Sequence, residues 1–416
     1  MGDKETMTGI LVILDGLGGR PTDLGGATCL ERAATPVLDI LAARGALGLM
    51  DPVAPGVRPG SDTAHLSIFG YDPQRVYTGR GAFEALGIGM DVRGGDVCFR
   101  ANFGTVEERA GHLIVLDRRA GRLPEGKPFE DAINGIGLDD FDVEFFFRAS
   151  TEHRGALVLR GEALSADVSD TDPHEVGVPV AAALGNDPAA RRTAEAVNAF
   201  VRRAHEVLRD HPANRTRVSR GEVPANAILL RGAAAMPHLR PITEEYGIQG
   251  VRIAAGALYK GVAKLAGLTI RDVPSATTDL DTDFGATARA VLSSLEKAEF
   301  VFVHIKGADN AGHDGDARAK RAFIERADRE FFQPLVAALP WDAVHLCVSG
   351  DHTTPPAARE HTADPVPVLF VGPAVRPDRT RAFGERAAGE GGLGRFAGRL
   401  VPQLLGYCDL GPKFGT

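Results

Sequence analysis

The sequence predicts an α/β fold, in which a doubly wound, mostly parallel β-sheet carries an inserted α+β domain. Three observations lead to this prediction. Short apolar runs alternate with helical patterns near both ends of the chain, as in proteins whose strands and helices alternate. These runs are continuously apolar, as expected for strands buried on both faces. The middle of the chain differs, because its strand patterns follow one another through hairpin-like connections.

The predicted strands of the parallel sheet are short and rich in Val, Ile and Leu: residues 9–16, 247–256, 300–309, 343–352 and 366–373. Helical patterns accompany them at residues 35–45, 258–267 and 316–339. Asp316 is the expected N-cap of the last helix, because its carboxylate can accept the first free N–H groups.

Two domains are expected, because 416 residues are too many for one ordinary core. The hairpin-like strands and one long helix around residues 190–211 lie in the middle of the chain. We therefore predict an inserted domain at residues 92–235 and an outer domain formed by residues 1–91 and 236–416. The glycine-rich segment 391–398 follows no predicted strand, so we interpret it as a turn and not as a dinucleotide-binding motif.

Composition excludes several classes of function. The net charge of −8 argues against nucleic-acid binding, and no apolar run approaches 18 residues, so no membrane-spanning segment is expected. The four cysteines are scattered without a Cys-x-x-Cys motif, and the N-terminal apolar run lacks a signal-peptide cleavage site. These features predict a cytoplasmic protein, and they give no indication of its oligomeric state.

Several predicted strands end in side chains that bind metals. Asp15 ends the first strand, Asp309 and His313 follow the strand at 300–309, and Asp351 and His352 follow the strand at 343–352. His361 comes nine residues later. Each residue alone has an ordinary explanation in a turn or loop. Together they indicate one site, because ligands of open α/β sheets bind beyond the carboxyl ends of the strands.

Three carboxylates and three imidazoles are more ligands than one catalytic ion usually takes, so they predict two divalent ions. This donor set without a thiolate favours Mn²⁺, Zn²⁺ or Mg²⁺ over a soft-metal or iron–sulfur centre. Two ions roughly 4 Å apart are the usual arrangement for transfer of a phosphoryl group. We therefore expect a small, anionic, phosphorylated substrate.

The stretch PGSDTAHLSIFG places Ser61 and Asp62 at the start of a helical pattern. Both residue types are common helix caps. A helix N-terminus also favours a phosphate group, and a serine hydroxyl beside a divalent ion becomes a competent nucleophile. We interpret Ser61 as the nucleophile and Asp62 as a cap, with a supporting role of Asp62 beside the metal site left open.

Six motifs occur in order along the chain: DGLGGRP, PGSDTAHLSIFGYDP, GRGAFEALGIG, HIKGADNAGHDGD, SGDHTTP and REHTADPVPVLF. This set resembles the cofactor-independent phosphoglycerate mutases of the archaeal type, in the alkaline phosphatase superfamily, over nearly the whole chain. The resemblance implies an alkaline-phosphatase-like domain with two metal ions and an inserted domain that binds substrate. It also implies that 3-phosphoglycerate and 2-phosphoglycerate interconvert, through phosphorylation of Ser61, without a bisphosphoglycerate cofactor.

The resemblance also implies roles for individual residues. One ion would be held by Asp15, Ser61, Asp351 and His352, and the other by Asp309, His313 and His361. The candidates for binding the substrate's phosphate and carboxylate are His153, Arg154, Arg231 and Lys306, followed by Arg80. His153 is also a candidate proton carrier.

Two other functions fit the same residues. A phosphatase or phosphotransferase of the same superfamily would act on another phosphoester or a phosphonate with the same serine and ions. A mutase differs from it by excluding water from the phosphoserine. A protein that binds metal without turnover is the second alternative, and the retained Ser61 argues against it.

Overall fold

The computed structural model describes residues 7–411 and 413. It divides into two compact units. The outer unit comprises residues 1–76 and 239–416, and the inserted unit comprises residues 77–238.

Within the described residues the strands are, in chain order, β1 (Thr8–Leu14), β2 (Ala46–Asp51), β3 (Val97–Arg109), β4 (His112–Asp117), β5 (Glu144–Ala149), β6 (Arg154–Arg160), β7 (Ala227–Ala235), β8 (Gly250–Ala254), β9 (Thr269–Ile270), β10 (Phe300–Ile305), β11 (Val344–Ser349), β12 (Val366–Val371) and β13 (Gly394–Ala397).

The α-helices of the same residues are α1 (Cys29–Arg32), α2 (Pro36–Arg44), α3 (Ser61–Ile68), α4 (Pro73–Val76), α5 (Gly81–Gly87), α6 (Lys127–Asn134), α7 (Pro188–Arg209), α8 (Pro212–Ser219), α9 (Ile242–Tyr246), α10 (Ala257–Leu265), α11 (Phe284–Ser294), α12 (Gly307–Asp314), α13 (Ala317–Ala327), α14 (Gln333–Ala338), α15 (Glu385–Gly389) and α16 (Leu400–Tyr407). A 3₁₀ turn lies at Asp139–Phe141 and a π-helical turn at Asp328–Phe332.

The outer unit is built on an eight-stranded sheet in the order β13-β2-β12-β11-β1-β10-β8-β9. Every neighbouring pair is parallel except the two that involve β12, which runs antiparallel to β11 and β2. Every residue of β1, β10 and β11 is buried, as their continuous apolarity predicts. The prediction of an α/β fold with a mostly parallel sheet is confirmed.

Two elements of the outer unit differ from the sequence prediction. The helix predicted at 316–339 is α13 and α14 joined by the π-helical turn, and Asp316 caps α13 by accepting the N–H groups of Arg318 and Ala319. The segment predicted as a turn at 391–398 contains β13, which pairs with β2. An edge strand needs only one partner, so its glycine-rich sequence and exposed side chains hide it from a hydrophobicity pattern.

The inserted unit is built on a five-stranded antiparallel sheet, with order β4-β3-β6-β5 and β7 paired to β3. It begins at residue 77, before the boundary that the sequence placed after residue 91. The apolar face of α5 accounts for this position, because Ala82 and Ala85 pack against Cys98 of β3 and Val158 of β6. Helix α5 therefore belongs to the core of the inserted unit.

In the described part of the chain, no helix has both the length and the apolarity needed to cross a membrane. The four cysteines are buried thiols.

Candidate metal centre

The predicted metal ligands of the outer unit follow three neighbouring strands. Strand β1 lies between β11 and β10 and is parallel to both, so the three carboxyl ends meet at one edge of the sheet. Asp15 directly follows β1, Asp309 lies in the first turn of α12 after β10, and Asp351 and His352 follow β11. The topology therefore brings together residues that are far apart in the sequence.

The first cluster consists of Asp15, Asp351 and His352, all fully buried. Their ligand atoms lie within 4.8 Å of one another. The His352 Nε2 atom is 3.3 Å from Asp15 Oδ1 and 3.3 Å from Asp351 Oδ2. Two carboxylates and one imidazole thus face a common point.

The oxygens of the first cluster that face this point are the ones left without hydrogen bonds. Asp351 Oδ1 accepts the backbone N–H groups of Gly16 and His352, each at 3.0 Å. Asp15 Oδ1 and Asp351 Oδ2 are buried and have no hydrogen-bond partner among the described residues. Buried carboxylate oxygens are otherwise satisfied in proteins, so this arrangement fits a bound cation.

The pKa values of the Asp15 and Asp351 carboxyl groups are shifted in opposite directions. Burial, together with the nearby Asp15 carboxylate, holds the pKa of Asp351 well above its usual range. Burial also tends to raise the pKa of Asp15, but the Lys306 ammonium and the bonded His304 outweigh burial and lower it. A divalent ion here would displace the proton that Asp351 favours.

The second cluster consists of Asp309, His313 and His361. The Nε2 atoms of the two imidazoles are 3.2 Å apart, and they lie 3.3 Å and 3.5 Å from Asp309 Oδ1. Each ring uses its Nδ1 for a backbone carbonyl, that of Arg359 for His313 and that of Pro59 for His361. Because Nδ1–H donates there, both Nε2 lone pairs point at the same place, which suits a cation.

Thr354 joins the two clusters. Its hydroxyl donates to Asp309 Oδ1 at 2.9 Å and therefore accepts the Nδ1–H of His352 at 3.0 Å. This pair of bonds leaves the Nε2 of His352 unprotonated and directed at the first cluster.

Ser61 is the first residue of α3, and its Oγ lies 3.2 Å from the Nε2 of His352. The unprotonated Nε2 accepts a hydrogen bond from the Ser61 hydroxyl. Gly60 is the N-cap residue, and Asp62 accepts the N–H of Thr63 at 2.9 Å. Asp62, which was expected to be the cap, is therefore the second residue of α3, and it accepts one of the free N–H groups of the first turn from within the helix. The structure places Ser61 Oγ beside the first cluster.

Comparison with known proteins identifies the family. A family model described as 2,3-bisphosphoglycerate-independent phosphoglycerate mutase matches residues 42–214. The 2,3-bisphosphoglycerate-independent phosphoglycerate mutase 1 of Methanothermobacter thermautotrophicus is 46% identical over 99% of this chain and 100% of its own length. The chain belongs to the 2,3-bisphosphoglycerate-independent phosphoglycerate mutases.

The resemblance predicted from the sequence motifs is confirmed, and two solved structures are similar to nearly the whole chain. The PH0037 protein from Pyrococcus horikoshii is 37% identical, with a TM-score of 0.86 over 99% of this chain and 100% of its own. The cofactor-independent phosphoglycerate mutase from Thermoplasma acidophilum is 35% identical, with a TM-score of 0.70 over 97% of this chain and 98% of its own.

In this mutase two lysines lie at the candidate metal centre. Lys306 was predicted to bind substrate, and its Nζ lies 3.2 Å from Asp15 Oδ2 and 2.5 Å from Asp309 Oδ2. Lys320 is fully buried and donates to the carbonyls of Gly18 and Thr354 at 2.7 and 2.8 Å. Lys306 therefore balances one carboxylate from each cluster, and Lys320 holds together the loops that follow β1 and β11.

The other predicted substrate residues lie in the inserted unit, where arginines share one face of the sheet. Arg231 of β7 is opposite Arg100 of β3, and Arg154 of β6 is opposite Asn102, which points to the same face as Arg100. Arg80 lies at the start of α5 and contacts Glu84 at 3.0 Å. The sequence analysis did not include Arg100 among the candidates, although a charged side chain within the otherwise apolar start of β3 was a usable signal.

Positive charge accumulates on this face. Burial, and the charges of Arg80, Arg231 and Arg154, lower the pKa of Arg100 to about 9, although Glu84 opposes them. His153 is 4% exposed, and burial together with the neighbouring arginines lowers its pKa to about 4. These pKa values are lowered because positive charges lie close together on this face of the sheet. An anionic ligand bound there would offset this repulsion.

Glu385 gives a testable pH dependence outside the metal centre. Its carboxylate accepts the N–H of Gly19 at 3.0 Å and the hydroxyl of Thr28 at 2.8 Å, which ties the loop after β1 to α15. Burial raises its pKa to about 7. The folded state therefore binds this proton more tightly than the unfolded state, and stability is lost as pH rises from about 4.5 to 7.

We expect Glu385→Gln to raise the melting temperature at pH 8 by a few degrees and to leave it nearly unchanged at pH 5. The amide oxygen keeps one acceptor, and the Thr28 hydroxyl can rotate to accept the amide N–H. Calorimetry at both pH values measures the difference. Glu390→Gln, at an exposed position of the same segment, is the control and should show no pH-dependent gain. An equal gain at pH 5 and pH 8 would contradict the assignment.

Proposed function

We propose that this chain interconverts 3-phosphoglycerate and 2-phosphoglycerate through a phosphoserine at Ser61, with two divalent ions held by the first and second clusters. The observation that supports this most strongly is the placement of Ser61 Oγ at 3.2 Å from His352, a member of the first cluster of converging ligand atoms. Family membership makes phosphoglycerate the favoured substrate.

Bound divalent ions would lower the pKa of a nearby hydroxyl and neutralise negative charge on a phosphate. The Ser61 oxygen attacks phosphorus, so that a bond from Oγ to phosphorus forms and the bond from the glycerate O3 breaks. The serine proton leaves Oγ, and O3 gains a proton as it departs. The N-terminus of α3 adds N–H groups that favour the phosphate.

The second half of the reaction reverses these bonds at the other hydroxyl of the glycerate. The glycerate O2 loses its proton and attacks the phosphoserine, and Ser61 regains its hydroxyl. We assign glycerate binding to His153, Arg154 and Arg231, with Arg80 and Arg100 near them, because arginine binds carboxylates with two parallel hydrogen bonds. His153 is the candidate proton carrier because it lies beside these arginines; its ring is neutral in the free protein, and an anionic ligand would raise its lowered pKa toward the range in which a base is effective.

Carboxylate and imidazole ligands favour Mn²⁺, with Zn²⁺ and Mg²⁺ as alternatives. The four buried thiols support a reducing compartment, and we propose the cytoplasm.

The test is incubation of the purified protein with 3-phosphoglycerate and Mn²⁺, without 2,3-bisphosphoglycerate, followed by product analysis. We expect 2-phosphoglycerate, formed only when the metal is present. Release of free phosphate without 2-phosphoglycerate would reject the mutase and favour the hydrolase of the same superfamily. A parallel screen with other phosphoesters and small phosphonates would reveal a different substrate.

A further inference from the structure

Asp15 is the residue of the first cluster with the most hydrogen-bond donors around it. We propose that Tyr259 and His304 are positioning residues, which hold the Asp15 carboxylate so that Oδ1 faces the metal. This inference rests on the proposed function, since it concerns how the chain prepares one of the two proposed metal sites.

The donors to Asp15 all converge on the oxygen that points away from the first cluster. Tyr259 in α10 donates its hydroxyl to Asp15 Oδ2 at 2.6 Å, and His304 in β10 donates Nε2–H to the same atom at 3.0 Å. The Lys306 ammonium lies 3.2 Å from it. Asp15 Oδ1, in contrast, has no hydrogen-bond partner among the described residues. The Asp15 carboxylate is thus held through Oδ2, and its Oδ1 is left to face the proposed metal site.

Both positioning side chains act as hydrogen-bond donors. A carboxylate oxygen only accepts hydrogen bonds, so the Tyr259 hydroxyl and the Nε2–H of His304 both direct a proton at Asp15 Oδ2. His304 Nδ1 is buried without a hydrogen-bond partner among the described residues.

The Tyr259 and His304 side chains also restrict each other's rotation. Their rings are stacked, with centroids 3.6 Å apart and planes inclined by 26°. The hydroxyl and the Nε2–H therefore approach Asp15 from a single rigid block formed by α10 and β10. A rigid donor pair restricts rotation of the carboxylate, and such partners of metal ligands typically account for about 10–100-fold in metal affinity.

The experiment is a Mn²⁺ titration of the full chain, in which electron paramagnetic resonance measures the free ion. We expect two sites in the unsubstituted protein. In Tyr259→Phe, which keeps the stacked ring, we expect one site to weaken by about 10–100-fold and the other to remain unchanged. The Mn²⁺ concentration for half-maximal mutase activity should rise equally, while kcat at saturating Mn²⁺ is largely retained.

Tyr71→Phe is the matched control, because it removes a tyrosine hydroxyl that donates to the Arg240 carbonyl in the same unit. Mn²⁺ affinity should not change in this control. A second pair of variants tests the same claim without relying on Tyr259. His304→Gln keeps an N–H donor near the Nε2 position and should retain most of the affinity, whereas His304→Leu should lose about 10–100-fold at one site.

The outcomes separate this inference from the proposed function. Two Mn²⁺ sites of unchanged affinity in both Tyr259→Phe and His304→Leu would overturn the positioning role and leave the proposed function standing. An equal loss in Tyr71→Phe would also overturn it, because the effect would then not be specific to Asp15. Absence of Mn²⁺ binding to the unsubstituted protein would reject the proposed metal centre itself.

Discussion

Replacing Ser61 by alanine is expected to lower the rate of phosphoglycerate interconversion by at least about 10⁴-fold. The substitution removes the oxygen that forms the bond to phosphorus, and the remaining groups offer no other nucleophile at that position. Acid-quenched protein exposed to labelled 3-phosphoglycerate should carry phosphate in the unsubstituted chain and none in Ser61→Ala. Coupled assay of 2-phosphoglycerate formation measures the rate.

Ser67→Ala is the matched control, because Ser67 belongs to the same helix, α3, and is not among the proposed site residues. It should keep both activity and phosphate labelling. Retention of activity in Ser61→Ala, with the protein folded as judged by circular dichroism, would reject the phosphoserine mechanism.

Asp351→Asn is expected to act in opposite directions on activity and on the stability of the metal-free protein. Activity should fall by at least about 10³-fold, because the amide removes one anionic ligand beside Ser61. The metal-free protein should become more stable at pH 8, because an amide in place of Asp351 Oδ2 ends the repulsion between two buried carboxylates. The amide oxygen still accepts the N–H groups of Gly16 and His352.

The sign of the pH dependence follows from the raised pKa of Asp351. The folded metal-free chain binds this proton more tightly than the unfolded chain, so its stability falls as pH rises above about 4. Asp351→Asn removes that loss. We expect a melting temperature several degrees higher at pH 8 in EDTA, and a smaller difference at pH 5.

Calorimetry of both proteins in EDTA checks this result, and Asp342→Asn, in the turn before β11, serves as the control. A metal-free Asp351→Asn protein that is less stable than the unsubstituted chain at pH 8 would show that the Asp351 carboxylate stabilises the fold by itself.

The local pattern of the sequence was sufficient to predict the strands that precede the candidate metal ligands. Strands β1, β10 and β11 are largely apolar and are followed by Asp or His, and the rule for open α/β sheets places these side chains together. The direction of β12 was not predictable in this way, because a buried strand is equally apolar in either direction. Strand order, too, depends on contacts between segments far apart in the chain.

The supporting residues of the site were hidden for a related reason. Tyr259 meets Asp15 across 244 positions of sequence, and its helix reads as an ordinary amphipathic segment. Thr354 and Lys320 likewise act through hydrogen bonds to residues far apart in the sequence, which only tertiary packing creates. Candidate metal ligands can be identified from their residue types in the sequence. The residues that orient them can be identified only from the contacts that they make in the folded structure.

The strand pairing of β1 has a consequence for co-translational folding. The inserted unit is continuous, so its last strand, β7, is complete once residue 235 has emerged. Strand β1 must wait for β10 and β11, because its register partners include Phe300 and Val344. At typical translation speeds this apolar strand lacks these two partners for on the order of half a minute. The proposed metal site is therefore among the last parts to form, and we expect nascent chains that end before residue 344 to be protease-sensitive in the outer unit and dependent on chaperones.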